Sequence, residues 1–159
     1  MITTYTSWTT CEHAIVQKIA LSGKVDEVIV APGNRGTAVV GGKITNLAIA
    51  IDDVAGLVAL AKERQISLVI VGPEQPLVDG LNDLMMASNI PCFGSSSLAA
   101  NIEASKAWSK DFMARNRIRT AKCRNFKDLE NAEAYLNSID HRVVAKASTA
   151  GKVVIIPAN

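Results

Sequence analysis

Short apolar runs separated by stretches of helical period set the layout of this 159-residue chain. The runs at 27–31, 47–51, 68–72 and 90–93 are rich in Val and Ile and lack polar alternation, the pattern of strands buried on both faces of a parallel sheet. Between them, 53–65 places Val54, Leu57, Val58 and Ala61 on one stripe, and 76–88 does the same with Leu77, Leu81, Leu84 and Met85, so both stretches predict amphipathic helices. Alternation of this kind predicts a doubly wound α/β sheet.

From Ala99 the pattern changes. A helix of about five turns or fewer is predicted, with Ile102, Trp108, Phe112 and Met113 apolar and Glu103, Lys106 and Lys110 on a polar face. A domain boundary near Asn101 fits this change. Beyond Arg119 the expected order is a strand at 121–126, a helix at 128–138, and strands at 142–147 and 153–156.

Composition narrows the function classes. A hydrophobic content of 48% is enough for a buried core and argues against disorder. The net charge of +2 comes from basic and acidic residues interspersed along the chain, so neither nucleic acid nor a membrane surface is expected as partner. Cys11, Cys92 and Cys123 form no CxxC pair, and the start of the chain lacks a signal-peptide pattern, which together read as a reducing, cytoplasmic setting. No apolar run approaches the roughly 20 residues that span a bilayer.

Thr9-Thr10-Cys11-Glu12 has the form of a capping box, in which Thr9 caps a helix start and Glu12 reaches back. His13, in the first turn of that helix, has no nearby nucleophile or second metal ligand in sequence and reads as a hydrogen-bonding structural residue. His141 reads as unpaired and solvated, and Cys11 has no resolving cysteine. No metal site is expected. The turns Ala31-Pro32-Gly33-Asn34-Arg35-Gly36 and Gly72-Pro73-Glu74 each follow a predicted strand, so both belong at the carboxyl edge of the sheet, where open α/β folds bind ligands. Asn34 can donate hydrogen bonds there, and Glu74 can accept from an amine or a ribose hydroxyl. Each turn alone is more often a mere turn.

Three blocks lie in the order and spacing of one enzyme family. They are VAPGNRGTA at 30–38, the VVGPEQPL-like block at 70–77, and 90–122, where Phe93-Gly94 precedes a helix carrying Ser105, Lys106, Trp108, Lys110, Phe112 and Met113. Over nearly its whole length the chain resembles glycinamide ribonucleotide synthetase, the phosphoribosylamine–glycine ligase. The resemblance implies a Rossmann-like pre-ATP-grasp domain over 1–101, followed over 102–159 by a linker helix and a truncated ATP-grasp α+β portion.

The family activity is ATP-dependent formation of glycinamide ribonucleotide in purine synthesis, in which ATP activates the glycine carboxylate as an acyl phosphate that the amine of phosphoribosylamine attacks. By resemblance, Gly33, Asn34, Gly72, Pro73 and Glu74 belong to the pocket for phosphoribosylamine or glycinamide ribonucleotide. Lys106 and Lys146 correspond to the two lysines that contact ATP phosphates, with magnesium as the accompanying ion. Read without the resemblance, Lys106 belongs to a solvated face paired with Glu103 at i−3.

The chain departs from the family at two places. Trp8-Thr9-Thr10 stands where a glycine loop is expected, and β-branched residues there disfavour both positive φ and the close approach of a phosphate. The stretch after Lys146 is two residues short and has Val153 in place of a glycine. Two lysines alone make only part of an ATP site, and the acidic magnesium ligands are expected beyond Asn159. The isolated chain is therefore expected to be inactive. The rival reading is a non-catalytic binding or interaction module, which can associate with a full-length relative. A generic dinucleotide-binding domain is disfavoured, because no Gly-x-Gly-x-x-Gly follows the first strand.

Overall fold

The computed structural model describes residues 2–5, 10–40, 42–146 and 154–155. The chain divides into two compact units, Met1–Ala100 and Asn101–Asn159. The first is built on five parallel strands, β1 (Ile2–Tyr5), β2 (Val28–Ala31), β3 (Ile44–Asn46), β4 (Leu68–Val71) and β5 (Cys92–Phe93), in the order β3-β2-β1-β4-β5. Its helices are α1 (Thr10–Ala20), α2 (Arg35–Val40), α3 (Val54–Glu63), α4 (Glu74–Val78), α5 (Leu81–Ala87) and the start of α6 (Ser97–Ala104). The second unit holds α7 (Lys106–Arg115), α8 (Leu129–Asn137) and an antiparallel pair, β6 (Ala145–Lys146) with β7 (Val154–Ile155). This is the α/β fold anticipated above: a Rossmann-like parallel sheet, then a smaller α+β portion.

Strand β2 shows why the apolar runs form a sheet covered on both sides. All four of its residues are buried. Successive side chains point to opposite faces, so Val28 and Val30 join Val16 and Val25 in one cluster, while Ile29 and Ala31 join Leu57, Leu60, Val69, Leu81 and Met85 in a larger one. Helix α1 covers the smaller cluster; α3 and α5 cover the larger.

The structure corrects several element boundaries. The third strand is Ile44–Asn46, not 47–51. Leu47 still donates its N–H to the Val30 carbonyl at 2.9 Å, and Leu47 and Ile49 pack against the larger cluster from beyond the strand end, so the run is apolar for burial rather than for pairing. The stretch 76–88 is two helices, broken at Gly80, whose φ of +89° lies in the left-handed region that a side chain disfavours. On α5, Leu84 is exposed rather than part of the apolar stripe.

The long helix after Ala99 is also two. Ser105 is extended at φ −123° and ψ 107°, and its hydroxyl accepts from the Trp108 N–H, which starts α7 afresh. The expected strand at 121–126 is absent: these residues adopt no regular structure and are exposed. Lys110 instead ties this segment to α7, donating from Nζ to Thr120 Oγ1 at 2.6 Å and to the Ala121 carbonyl at 2.8 Å. Helix 128–138 appears as α8, with Asp128 as its cap. Thr9, the expected cap of α1, and the segment 147–153 lie outside the described residues.

Candidate functional site at the carboxyl edge of the sheet

The chain runs from β1 outward through β2 to β3, then returns across the sheet to β4 and β5. The order of strands therefore reverses beside β1, and in open α/β sheets ligands bind in the crevice at the carboxyl ends of such strands. Tyr5, the last residue of β1, is in register with Ala31 on one side and Val71 on the other. The loops that follow Ala31 and Val71 are thus brought to the same edge, two strand spacings apart, or about 10 Å.

The loop after β2 begins with a cis Ala31–Pro32 peptide and continues through Gly33 at φ +77°. Asn34 then closes the start of α2. Its Oδ1 accepts from the Thr37 N–H at 3.0 Å, its own N–H donates to Thr37 Oγ1 at 2.9 Å, and the Thr37 hydroxyl donates back to the Asn34 carbonyl at 2.9 Å. Thr37 is buried at this turn. The carbonyl end of the Asn34 side chain is thereby occupied, leaving the Nδ2 end as the donor. From β3, Asn46 reaches under the loop and donates from Nδ2 to the Asn34 carbonyl at 3.2 Å. Neither Thr37 nor Asn46 was singled out from sequence. The Asn-x-x-Thr spacing of a capping turn was the available signal for Thr37.

The loop after β4 is more open. Gly72 and Glu74 are exposed, and Pro73 is half-buried in an extended conformation at φ −85° and ψ 157°. Pro73 sets the start of α4, and Glu74 is its first residue, with a carboxylate favoured at the positive end of a helix. Gly33, Asn34, Gly72, Pro73 and Glu74 accordingly lie at one sheet edge.

The two lysines belong to the second unit. Lys106 is half-buried as the first residue of α7, whose Trp108 and Phe112 rings stack with centroids 5.3 Å apart. Lys146 is exposed at the end of β6, opposite Val154. Among the described residues no group of three or more His, Cys, Asp or Glu side chains gathers.

Other candidates are placed away from chemistry or corrected. His13 was expected to form hydrogen bonds, yet its Nδ1 is buried without a partner and lies against Gly36 of α2, where a methyl group would come within 2.6 Å of it. His141 is exposed but not unpaired: its Nδ1 lies 3.6 Å from Asp140 Oδ1 and forms an ion pair when protonated. Cys92 and Cys123 are free, and burial pushes the Cys92 thiol up to about 11, so it stays protonated and unreactive at neutral pH. No helix among the described residues is long and apolar enough to cross a membrane.

Residues 9–103 match the family model of the phosphoribosylglycinamide synthetase N domain, and 104–159 match that of the phosphoribosylglycinamide synthetase ATP-grasp (A) domain. The chain belongs to the phosphoribosylglycinamide synthetase family. It is 48% identical over 147 residues to the phosphoribosylamine–glycine ligase of Vibrio vulnificus strain YJ016, covering 91% of this chain and 34% of that protein. Against the phosphoribosylamine–glycine ligase of Allochromatium vinosum the identity is 50%, with the same coverage. The bifunctional purine biosynthetic protein ADE1 of Schizosaccharomyces pombe is 45% identical, over 92% of this chain and 19% of that one.

The chain thus spans about a third of the length of the ligases it matches. Among solved structures, the biotin carboxylase domain of Hydrogenobacter thermophilus 2-oxoglutarate carboxylase, in complex with magnesium ADP and bicarbonate, gives a TM-score of 0.66 at 18% identity, over 98% of this chain and 37% of that one. The D-alanine–D-alanine ligase of Bacillus anthracis, complexed with ATP, gives 0.56 at 17%, over 98% and 50%. At such identities these two speak for the shared fold alone.

Proposed function

We propose that residues 1–159 supply the substrate-binding sheet edge and the first ATP-phosphate contacts of a phosphoribosylamine–glycine ligase. Residues 1–101 act as the pre-ATP-grasp domain, and 102–159 open the ATP-grasp region. The observation that carries this reading is the meeting of the Gly33–Asn34 and Gly72–Glu74 loops on either side of the end of β1. A gap of about 10 Å between two loops suits a ribose phosphate bearing an amine, with the Asn34 amide as donor and the Glu74 carboxylate as acceptor for the amine or a ribose hydroxyl. Lys106 and Lys146 neutralise the ATP phosphates while glycine is activated as an acyl phosphate.

Calorimetric titration of the purified chain with glycinamide ribonucleotide tests the reading, with magnesium ATP titrated separately. Saturable binding of the ribonucleotide is expected. Glu74→Gln should weaken it by about 1.5–3 kcal/mol, the worth of a hydrogen bond to a charged group. Binding that ignores Glu74→Gln, or no binding of either ligand, refutes the proposal.

A further inference from the structure

The loop that carries Gly33 and Asn34 is held by its own turn residues and also by the last residue of the neighbouring strand. Backbone pairing fixes where that residue stands. Asn46 is in register with Val30, and the next N–H, that of Leu47, bonds the Val30 carbonyl at 2.9 Å. From there the Asn46 side chain occupies the space that a Cβ on Gly33 would take, so Gly33 meets two demands at once: a φ of +77° and direct contact with a side-chain amide.

The Asn46 Nδ2 then donates to the Asn34 carbonyl at 3.2 Å, the same carbonyl that accepts from the Thr37 hydroxyl. Because Nδ2 faces a carbonyl, the orientation of the Asn46 amide is set. Its Oδ1 is left buried and without a hydrogen-bond partner. A buried amide with one end bonded to a loop and the other unsatisfied is costly for stability alone, which points to a role in shaping the site.

We propose that Asn46 is a positioning residue that holds the Gly33–Asn34 loop in its ligand-binding shape through the Asn34 carbonyl. It touches the loop and not the reacting atoms. The inference rests on the proposed function for its ligand, glycinamide ribonucleotide, but its effect on the loop stands apart from any ligand.

Two variants separate these. Asn46→Asp keeps the shape against Gly33 and replaces the donor with an oxygen facing another oxygen. Thr45→Ala, an exposed neighbour on the same strand whose hydroxyl donates to Glu27 at 3.2 Å, is the control. Without ligand, hydrogen exchange of the Asn34 and Thr37 amides should quicken by about tenfold in Asn46→Asp, the loss of roughly one hydrogen bond, while β2 and β4 stay protected. Unchanged exchange at Asn34 and Thr37 overturns the proposal, as does a general quickening across the sheet, which marks a merely structural residue.

With glycinamide ribonucleotide titrated calorimetrically, Asn46→Asp should bind about tenfold more weakly, and Thr45→Ala should bind as the parent does. Equal affinity in Asn46→Asp and parent also overturns it. If the parent itself fails to bind, the functional reading falls, and the exchange experiment still decides the role of Asn46.

Discussion

Helices α3, α5 and α7 end alike, and what lies beneath the ends differs. Each is followed by a residue in the left-handed region, Gln65 at φ +50°, Asn89 at +57° and Arg117 at +56°. Each then continues into an isoleucine whose N–H reaches back five residues: Ile66 to the Ala61 carbonyl, Ile90 to Met85, Ile118 to Met113. This is the Schellman arrangement with its customary apolar residue. In the first unit the isoleucines are 5% and 7% exposed, whereas Ile118 in the second is 47% exposed. Helix ends are therefore written locally and equally well in both units, but only the first has a core beneath them. Among the described residues of the second unit, Ser109 alone is buried, and of its aromatic pairs, Trp108 with Phe112 and Phe126 with Tyr135, no ring is buried.

The sharpest way to break this comparison is to cut the same side chain at the same local position. Ile66→Ala should cost about 2–5 kcal/mol through lost burial and the cavity left behind. Ile118→Ala should stay within about 1 kcal/mol, as for surface changes. Denaturant melts of the two variants decide it, and equal losses would mean that the second unit has a core of its own.

Hydrogen exchange extends the comparison to the backbone. Amides of β4 should open only with the whole domain, while those of α8 and of residues 143–146 should open more readily, in proportion to their sparse burial. Slower exchange at 143–146 than at Leu68–Val71 contradicts the contrast.

Capping should be the quantity that does not differ between units. Asp53 accepts from the Gly56 N–H at 2.8 Å, and Asp128 from the Asn131 N–H at 2.9 Å. Asp53→Ala should cost about 1 kcal/mol, and Asp128→Ala should fray α8, seen as lost helical circular dichroism. No loss in either variant would remove the claim that the ends are locally specified.

The smallest effect expected is on pH dependence. Hydrogen bonds from the Asn131 side chain and backbone hold the Asp128 carboxyl below its ordinary 3.8. A depressed folded-state value means the cap is fully effective above that ordinary value and is lost as pH falls through the lower one. Helicity of α8 should decline only below pH 3.8, and Asp128→Asn should flatten that decline. A decline that begins near neutrality would assign the effect to another group.

Much of the first unit was legible because apolar runs buried on both faces read as parallel strands, and 28–31 and 68–71 fell where the runs placed them. Residues 47–51 misled because a loop packing onto the core is as apolar as a strand. The breaks at Gly80 and Ser105 were invisible to periodicity, which continues across an interruption of one or two residues. Strand β1 carries the polar pair Thr3-Thr4 and so offered no run to find, although it stands at the centre of the sheet. The motif blocks directed attention to both loops at the carboxyl edge. Asn46 could not be found that way, since its importance arises from strand register rather than from its neighbours in sequence.

The central place of β1 also bears on how the sheet holds together. It joins β2 by pairing Ile2 with Val28 and β4 by pairing Ile2 with Leu68, separations of 28 − 2 = 26 and 68 − 2 = 66 residues. Closing the longer loop costs only about 0.8 kcal/mol more, because the entropy grows with the logarithm of length. Yet among the described residues these four are the only strand that pairs with both β3-β2 and β4-β5. Without them the sheet becomes two separate ribbons of two parallel strands, so the short polar strand with the weakest signal in the sequence is the keystone of the first unit.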